Sequence, residues 1–150
     1  FELGTSYGYS TLFLADAARQ IGAQLVTMEL ADYKQAHAWA QLERAGLADC
    51  VDFHCGDALD LLKQDDGTWD FVLLDIWKDL YVPCFEAIYP SLSEEAVVCT
   101  DNMISPEGAR ASARALREAI NAKGDLQTAL LPVGQGIEVT VKWSAGNSSL

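Results

Sequence analysis

Leu73-Leu74-Asp75-Ile76-Trp77-Lys78-Asp79-Leu80-Tyr81 is the stretch on which the reading of this chain turns. Phe71 to Leu74 is a short, continuous apolar run, the pattern of a central parallel strand covered on both faces. Asp75 then falls where such a strand ends, on the edge where open α/β sheets bind ligands. Trp77 and Lys78 follow at once. A carboxylate, an indole and an ammonium at one strand mouth read either as a site or as an ordinary loop with solvated charges. The stretch alone leaves both readings open.

On either side of it, strands alternate with helices. Phe1-Glu2-Leu3 reads as a strand stub broken at Gly4. A helix is expected from near Ser10, a suitable N-cap, with Leu12, Phe13, Ala17 and Ile21 as its apolar face and Gly22 as its stop. Leu25 to Met28 is the second strand, closed by Glu29. Asp32 can cap a helix over Tyr33 to Ala45, which ends at Gly46. Val51 to Cys55 is the third strand, and Ala58 to Lys63 a short helix followed by an Asp65-Asp66-Gly67 turn.

After the fourth strand, Tyr81 to Tyr89 reads helical despite Pro83, which a first turn tolerates. Ala96 to Thr100 is the fifth strand, ending at Asp101-Asn102. Pro106 and Gly124 frame a long helix. Leu126 to Leu131 and Ile137 to Trp143 form a hairpin around Pro132-Val133-Gly134-Gln135-Gly136, and Ser144 to Leu150 reads as a frayed tail. The alternation predicts a doubly wound α/β fold, mostly parallel, seven-stranded, with a C-terminal antiparallel hairpin. One domain over residues 1–150 is expected. The opening Phe1-Glu2-Leu3-Gly4 reads as the end of a strand, so a further N-terminal part is expected before it.

Half of the 150 residues are hydrophobic and mean hydropathy is +0.06, enough for a sizeable core. The net charge of −12 argues against nucleic acid and against anionic membrane surfaces as partners. The chain shows no run of apolar residues long enough to span a bilayer, and no signal peptide is expected. Cys50, Cys55, Cys84 and Cys99 include no C-x-x-C pair, and buried free thiols in a reducing cytoplasm are expected. His37 and His54 are read as structural, away from the strand mouths.

Nearly every predicted strand mouth carries something polar: Gly4-Thr5, Glu29, Gly56-Asp57, Asp75 and Asp101-Asn102. Five such mouths on one sheet edge favour a ligand site over incidental caps. The first loop is Gly4-x-x-x-Gly8, so the G-x-G-x-x-G dinucleotide signature is absent. Glu29 nonetheless falls where a ribose-binding acid belongs. A nucleoside without a pyrophosphate suits this pair of features, and S-adenosylmethionine is such a ligand. Asp75, Asp101 and Asn102 offer hard oxygens from neighbouring mouths, a set that suits Mg²⁺. A cation beside Lys78 would lower its pKa and make a neutral amine available as a base.

At these residues the chain resembles the metal-dependent class I O-methyltransferases that include catechol O-methyltransferase and caffeoyl-CoA O-methyltransferase. Glu2-Leu3-Gly4-Thr5-Ser6-Tyr7-Gly8-Tyr9-Ser10 is similar to the family's first cofactor motif and Val26-Thr27-Met28-Glu29 to its ribose motif. Leu74 to Tyr81 is similar to the catechol branch. Thr100-Asp101-Asn102-Met103-Ile104 resembles the second metal segment, and Leu131 to Glu138 the final hairpin of bacterial relatives.

The resemblance implies that Glu2, Gly4, Thr5 and Ser10 hold the methionine moiety of S-adenosylmethionine, that Glu29 binds its ribose, and that Ala58 lies near the adenine. It implies Asp75, Asp101 and Asn102 as metal ligands, Asp75 also near the cofactor, Lys78 as general base and Trp77 as a pocket wall. A small-molecule methyl acceptor with vicinal oxygens, a cytoplasmic location and a possible homodimer come with it. Two departures stand out. Glu95-Ala96 replaces a Gly-Gly pair before the fifth strand. Pro132 replaces an acid near the substrate, which sets catechol itself apart. Alternatives are a metal-independent methyltransferase on another small acceptor, a non-catalytic nucleoside-binding domain, and an NAD-dependent oxidoreductase, which the missing glycine signature disfavours.

Overall fold

The computed structural model describes residues 1–143. Its strands are β1 (Glu2–Leu3), β2 (Leu25–Glu29), β3 (Val51–Cys55), β4 (Trp69–Leu74), β5 (Leu92–Thr100), β6 (Leu126–Leu131) and β7 (Ile137–Lys142). Its helices are α1 (Tyr9–Ile21), α2 (Asp32–Arg44), α3 (Ala58–Leu62), α4 (Tyr81–Ile88) and α5 (Arg110–Asn121). The strands form one seven-stranded sheet in the order β3-β2-β1-β4-β5-β7-β6. The helical connections and the final antiparallel pair are those of a Rossmann-like, doubly wound sheet, as expected. The chain clusters into two compact units, Phe1–Gln64 and a second beginning at Asp65.

In the first unit β1 and β3 flank β2 in parallel, with Leu3 opposite Met28 and Glu29 opposite Cys55. Helix α1 buries Thr11, Ala15 and Ala18, and the core there joins Leu25, Leu42 and Leu47. This differs in part from the expected apolar face: Leu12 packs partly against this core, while Ala17 is exposed. Phe13 and Ile21 are exposed, because small residues, not large ones, let the helix seat on the sheet. Ser10 is not the N-cap. Gly8 takes that place at φ 84, and Ser10 lies inside the helix. Gly8 is also required by packing, since an added Cβ would lie 2.7 Å from the Cβ of Ala38 on α2. Asp32 is the first residue of α2, with Ala31 as cap. Gly22 and Gly46 both take the left-handed conformation at their helix ends, as expected.

In the second unit β4 and β5 run parallel, Leu74 opposite Thr100, and β7 adds antiparallel to β5 with Thr100 opposite Glu138. Strand β5 starts earlier than the sequence suggests, at Leu92, and Glu95 within it has φ 67. On β4, Val72 and Leu74 are buried while Phe71 is exposed, so only one face matches the expectation of a strand covered on both. Ala113, Leu116 and Ile120 of α5 recur at helical spacing and are buried. Each large apolar side chain so placed contributes about 1.5–3 kcal/mol.

The ion pair Arg117–Glu138, 2.6 Å, sets a half-exposed guanidinium on a buried carboxylate, and Thr128 donates to the second Glu138 oxygen at 2.9 Å. It ties α5 to the hairpin. Of the four cysteines, only Cys84 is fully buried; Cys50 and Cys99 are partly buried and Cys55 is exposed, against the expectation of buried thiols. The tail expected at Ser144 to Leu150 lies outside the described residues.

Candidate functional site

The first cluster gathers at the ends of β1 and β2. Glu2 is wholly buried, and hydroxyls satisfy both its oxygens. Ser10 Oγ donates to Oε1 at 2.6 Å, while Thr11 Oγ1 and Thr27 Oγ1 donate to Oε2 at 2.6 and 2.5 Å. Thr5, also buried, bonds Thr27 through its hydroxyl at 2.6 Å. The backbone N–H groups of Gly4 and Thr5 both donate to Met28 O, at 3.0 and 3.1 Å. Glu2, Thr5 and Ser10 therefore come together as the sequence suggests. The carboxylate of Glu2 faces the protein, however, and what it supplies is the shape of the loop. Gly4, at φ 106, leaves the loop without a side chain where it turns.

Glu29 reaches into the same loop from the end of β2. Its Oε2 accepts from the Ser6 N–H at 2.8 Å and its Oε1 from the Ala31 N–H at 3.0 Å. Each oxygen keeps a lone pair for a further donor. A carboxylate fixed this way by two amides can take paired hydroxyls such as those of a ribose. Ala58 opens α3, where Asp57 caps the helix by accepting from the Leu59 and Asp60 N–H groups. His37 is not remote from the mouths, as the sequence reading has it. Its ring meets Tyr7 of the first loop edge-on, 5.4 Å between centroids, because α2 packs beside that loop. His54 pairs with Asp52 at 3.0 Å.

The second cluster sits at the paired ends of β4 and β5. The parallel register places Asp75 and Asp101 just beyond Leu74 and Thr100, and Asp101 N–H donates to Leu74 O at 3.3 Å. Asn102 follows at φ 57, a conformation uncommon for anything but glycine and tolerated best by Asn. Lys78 stands in a 3-10 turn ahead of α4 and donates to Asn102 Oδ1 at 2.6 Å and to the Tyr81 hydroxyl. Tyr81 in turn donates to Asp101 O at 2.6 Å. Trp77 is 73% exposed, so it packs little against the described residues.

Electrostatics follow from this crowding. Burial, then the charge of Asp101, pushes the Asp75 carboxyl above its ordinary value, with Lys78 opposing. Burial pulls Lys78 below the usual lysine range, against the pull of Asp75 and Asp101. Burial and the two carboxylates raise the Tyr81 phenol far above its normal value, so it stays a hydrogen-bond donor.

A half-buried carboxylate repelled by its neighbour is what a divalent cation would relieve, and Asn102 supplies a hard oxygen beside it. The residues present therefore fit Mg²⁺. Among the described residues no group of three or more His, Cys, Asp or Glu is arranged to hold a metal. The set here is two acids and an amide, and the Lys78 ammonium already engages that amide.

Sequence reasoning missed Tyr81 and Gln135. Tyr81 could have been found from its place three residues after Lys78, one helical turn on. Gln135 accepts from Asn102 Nδ2 at 3.1 Å, a contact across 33 positions that no local pattern signals.

The profile of a methyltransferase-domain family matches residues 1–103. A catechol O-methyltransferase of Niastella koreensis is 33% identical over 69% of this chain, and a caffeoyl-CoA O-methyltransferase of Arabidopsis thaliana is 27% identical over 92%. The chain spans 48% and 61% of these two relatives' lengths. An O-methyltransferase from Streptomyces achromogenes, solved in complex with SAM, superposes with a TM-score of 0.86 at 27% identity, covering 95% of this chain and 72% of that one. Because the family match runs from the buried Glu2 loop through the Lys78 cluster to Asn102, the chain belongs to the methyltransferase-domain family.

Proposed function

We propose that the protein containing this chain transfers a methyl group from S-adenosylmethionine to an oxygen of a small molecule with vicinal oxygens, with a divalent cation such as Mg²⁺, in the cytoplasm. The observation that carries the reading is the Lys78–Asn102–Asp101–Asp75 cluster, in which a lysine is held below its usual pKa beside two carboxylates. The solved relative in complex with SAM supports the donor, and the catechol and caffeoyl-CoA relatives support a small oxygen acceptor.

In this reading Gly4, Thr5 and Ser10 shape the methionine-binding loop around buried Glu2. Glu29 takes the ribose hydroxyls, and Ala58 borders the adenine. Asp75, Asp101 and Asn102 hold the cation, and Asp75 also serves the cofactor. A cation bound there would supply Lewis-acid chemistry, lowering the pKa of the acceptor hydroxyl. Lys78 in its neutral form accepts the hydroxyl proton at Nζ. The acceptor oxygen then bonds the methyl carbon, the carbon–sulfur bond breaks, and its electron pair stays on sulfur. Tyr81 holds Lys78 in place for that transfer.

A second reading is methyl transfer without a metal. It is favoured by the Lys78 ammonium, which already occupies Asn102 Oδ1 as an internal cation. Methyl transfer from S-adenosylmethionine to a panel of catechols and other vicinal diols, run with EDTA and with added Mg²⁺, separates the two. Turnover that falls to background in EDTA and returns with Mg²⁺ supports the first. Undiminished turnover in EDTA selects the second, and binding of S-adenosylhomocysteine with no turnover in the full-length protein selects a non-catalytic nucleoside-binding domain.

A further inference from the structure

The hairpin tip that joins β6 to β7 is fastened to the segment after β5. Ile104 N–H and Ser105 N–H both donate to Gln135 O, at 2.9 and 3.1 Å, and Met103 N–H donates to Gly136 O at 2.9 Å. Gly136 has φ 91, and a Cβ there would lie 2.5 Å from Ile104 Cγ1 and 2.9 Å from Ile104 N. The backbone of Gln135 is thus pinned, and its side chain meets Asn102. Asn102 Nδ2 donates to Gln135 Oε1 at 3.1 Å, while Asn102 Oδ1 accepts from Lys78 at 2.6 Å.

The chemistry fixes the direction of this chain of bonds. In its charged form, before it gives up a proton to serve as base, Lys78 can only donate, so the Asn102 atom facing it must then be the oxygen. The amide nitrogen must then face Gln135, which must present its own oxygen. We infer that Gln135 is a positioning residue: by accepting from Asn102 Nδ2 its amide oxygen reinforces the orientation that Lys78 sets, with Oδ1 toward Lys78 and the cation. Without that acceptor the Asn102 carboxamide is held on its Lys78 side alone, and its nitrogen loses its protein partner. The inference rests on the metal reading above for its consequence, but not for the orientation itself.

The test has two arms. In the metal-free protein, the side-chain amide protons of Asn102 are followed by NMR hydrogen exchange in the native chain and in Gln135→Leu. Protection of one Asn102 amide proton that is lost in the variant supports the inference, and equal exchange in both overturns it. In the second arm Mn²⁺ affinity is measured by EPR for Gln135→Leu, Asn102→Asp and the double variant. Gln135→Leu is expected to weaken Mn²⁺ binding roughly tenfold, the lower end of what lost outer-shell partners cost. In the Asn102→Asp background the two carboxylate oxygens are equivalent, so the same change is expected to cost nothing. An equal loss in both backgrounds would mean a merely structural hairpin contact and would overturn the inference. If the native protein binds no Mn²⁺ while the NMR arm shows protection, the metal reading fails and the orientation stands.

Discussion

The carboxylates at the strand ends of the two units are treated in opposite ways. In residues 1–64, Glu2 is wrapped by three hydroxyls and Glu29 is held by two backbone amides. Neutral donors satisfy them and fix a shape. In the second unit, Asp75 and Asp101 lie close together beside Lys78, and both Asp75 and Lys78 are driven toward their neutral forms. Groups satisfied by dipoles build a binding surface. Groups left in mutual electrostatic tension hold protons and cations that can be exchanged, which is what a reaction needs.

The contrast is most exposed at Lys78. Lys78→Met is expected to lower turnover by about 10²–10⁴-fold while leaving S-adenosylhomocysteine affinity, measured calorimetrically, unchanged. In the native protein the base must be neutral, so kcat/KM should climb with pH and level off below the pH at which an ordinary lysine titrates. Native turnover in the Met variant would remove the second unit's claim to the chemistry.

Glu2→Gln should show the reverse signature. An amide in place of that carboxylate sets an N–H₂ group against hydroxyls that now donate, and leaves buried partners unsatisfied. A loss of about 2 kcal/mol is expected in a denaturant titration. Unchanged stability would mean that the hydroxyl cluster does not hold the loop.

Glu29→Gln should act more narrowly. It keeps one acceptor but opposes an N–H₂ to Ser6 or Ala31, and S-adenosylhomocysteine binding should weaken about tenfold with little change in melting temperature. The smallest expected effect is Asp75→Asn in the metal-free protein. Because the folded state raises this carboxyl's pKa, ionised Asp75 opposes folding above that pKa, and stability falls as pH rises through the window from the unfolded value to the folded one. Removing the charge should raise Tm by about 2–4 °C at neutral pH and abolish any further rise on adding Mg²⁺. A lower Tm for this variant would show that Asp75 is satisfied like Glu2, and the contrast would collapse.

Much of this was legible in the chain of residues. The alternation of strands and helices, the glycine stops at Gly22 and Gly46, and the hairpin around Gly134 and Gly136 follow from periodicity and turn chemistry, which are local. The acids at the strand mouths were legible for the same reason: strand ends are local events, and parallel register aligns them. The face of α1 was not. Phe13 and Ile21 point outward and Leu12 and Leu14 are only partly buried, because the close approach of helix to sheet selects Ala15 and Ala18, a property of the neighbour and not of the helix. The burial of Glu2 was equally hidden, since its three hydroxyl partners come from α1 and β2.

The order of elements, the acids at the strand ends and the family were all set by the residues in line, because each depends on residue type and short spacing. Which carboxylates are quenched and which are left reactive was settled in three dimensions alone. That depends on what lies opposite each oxygen: a hydroxyl 25 positions away for Glu2, and the charges of Asp101 and Lys78 for Asp75. Coulomb and hydrogen-bond energies fall off with distance in space, and that distance is fixed only when the chain folds.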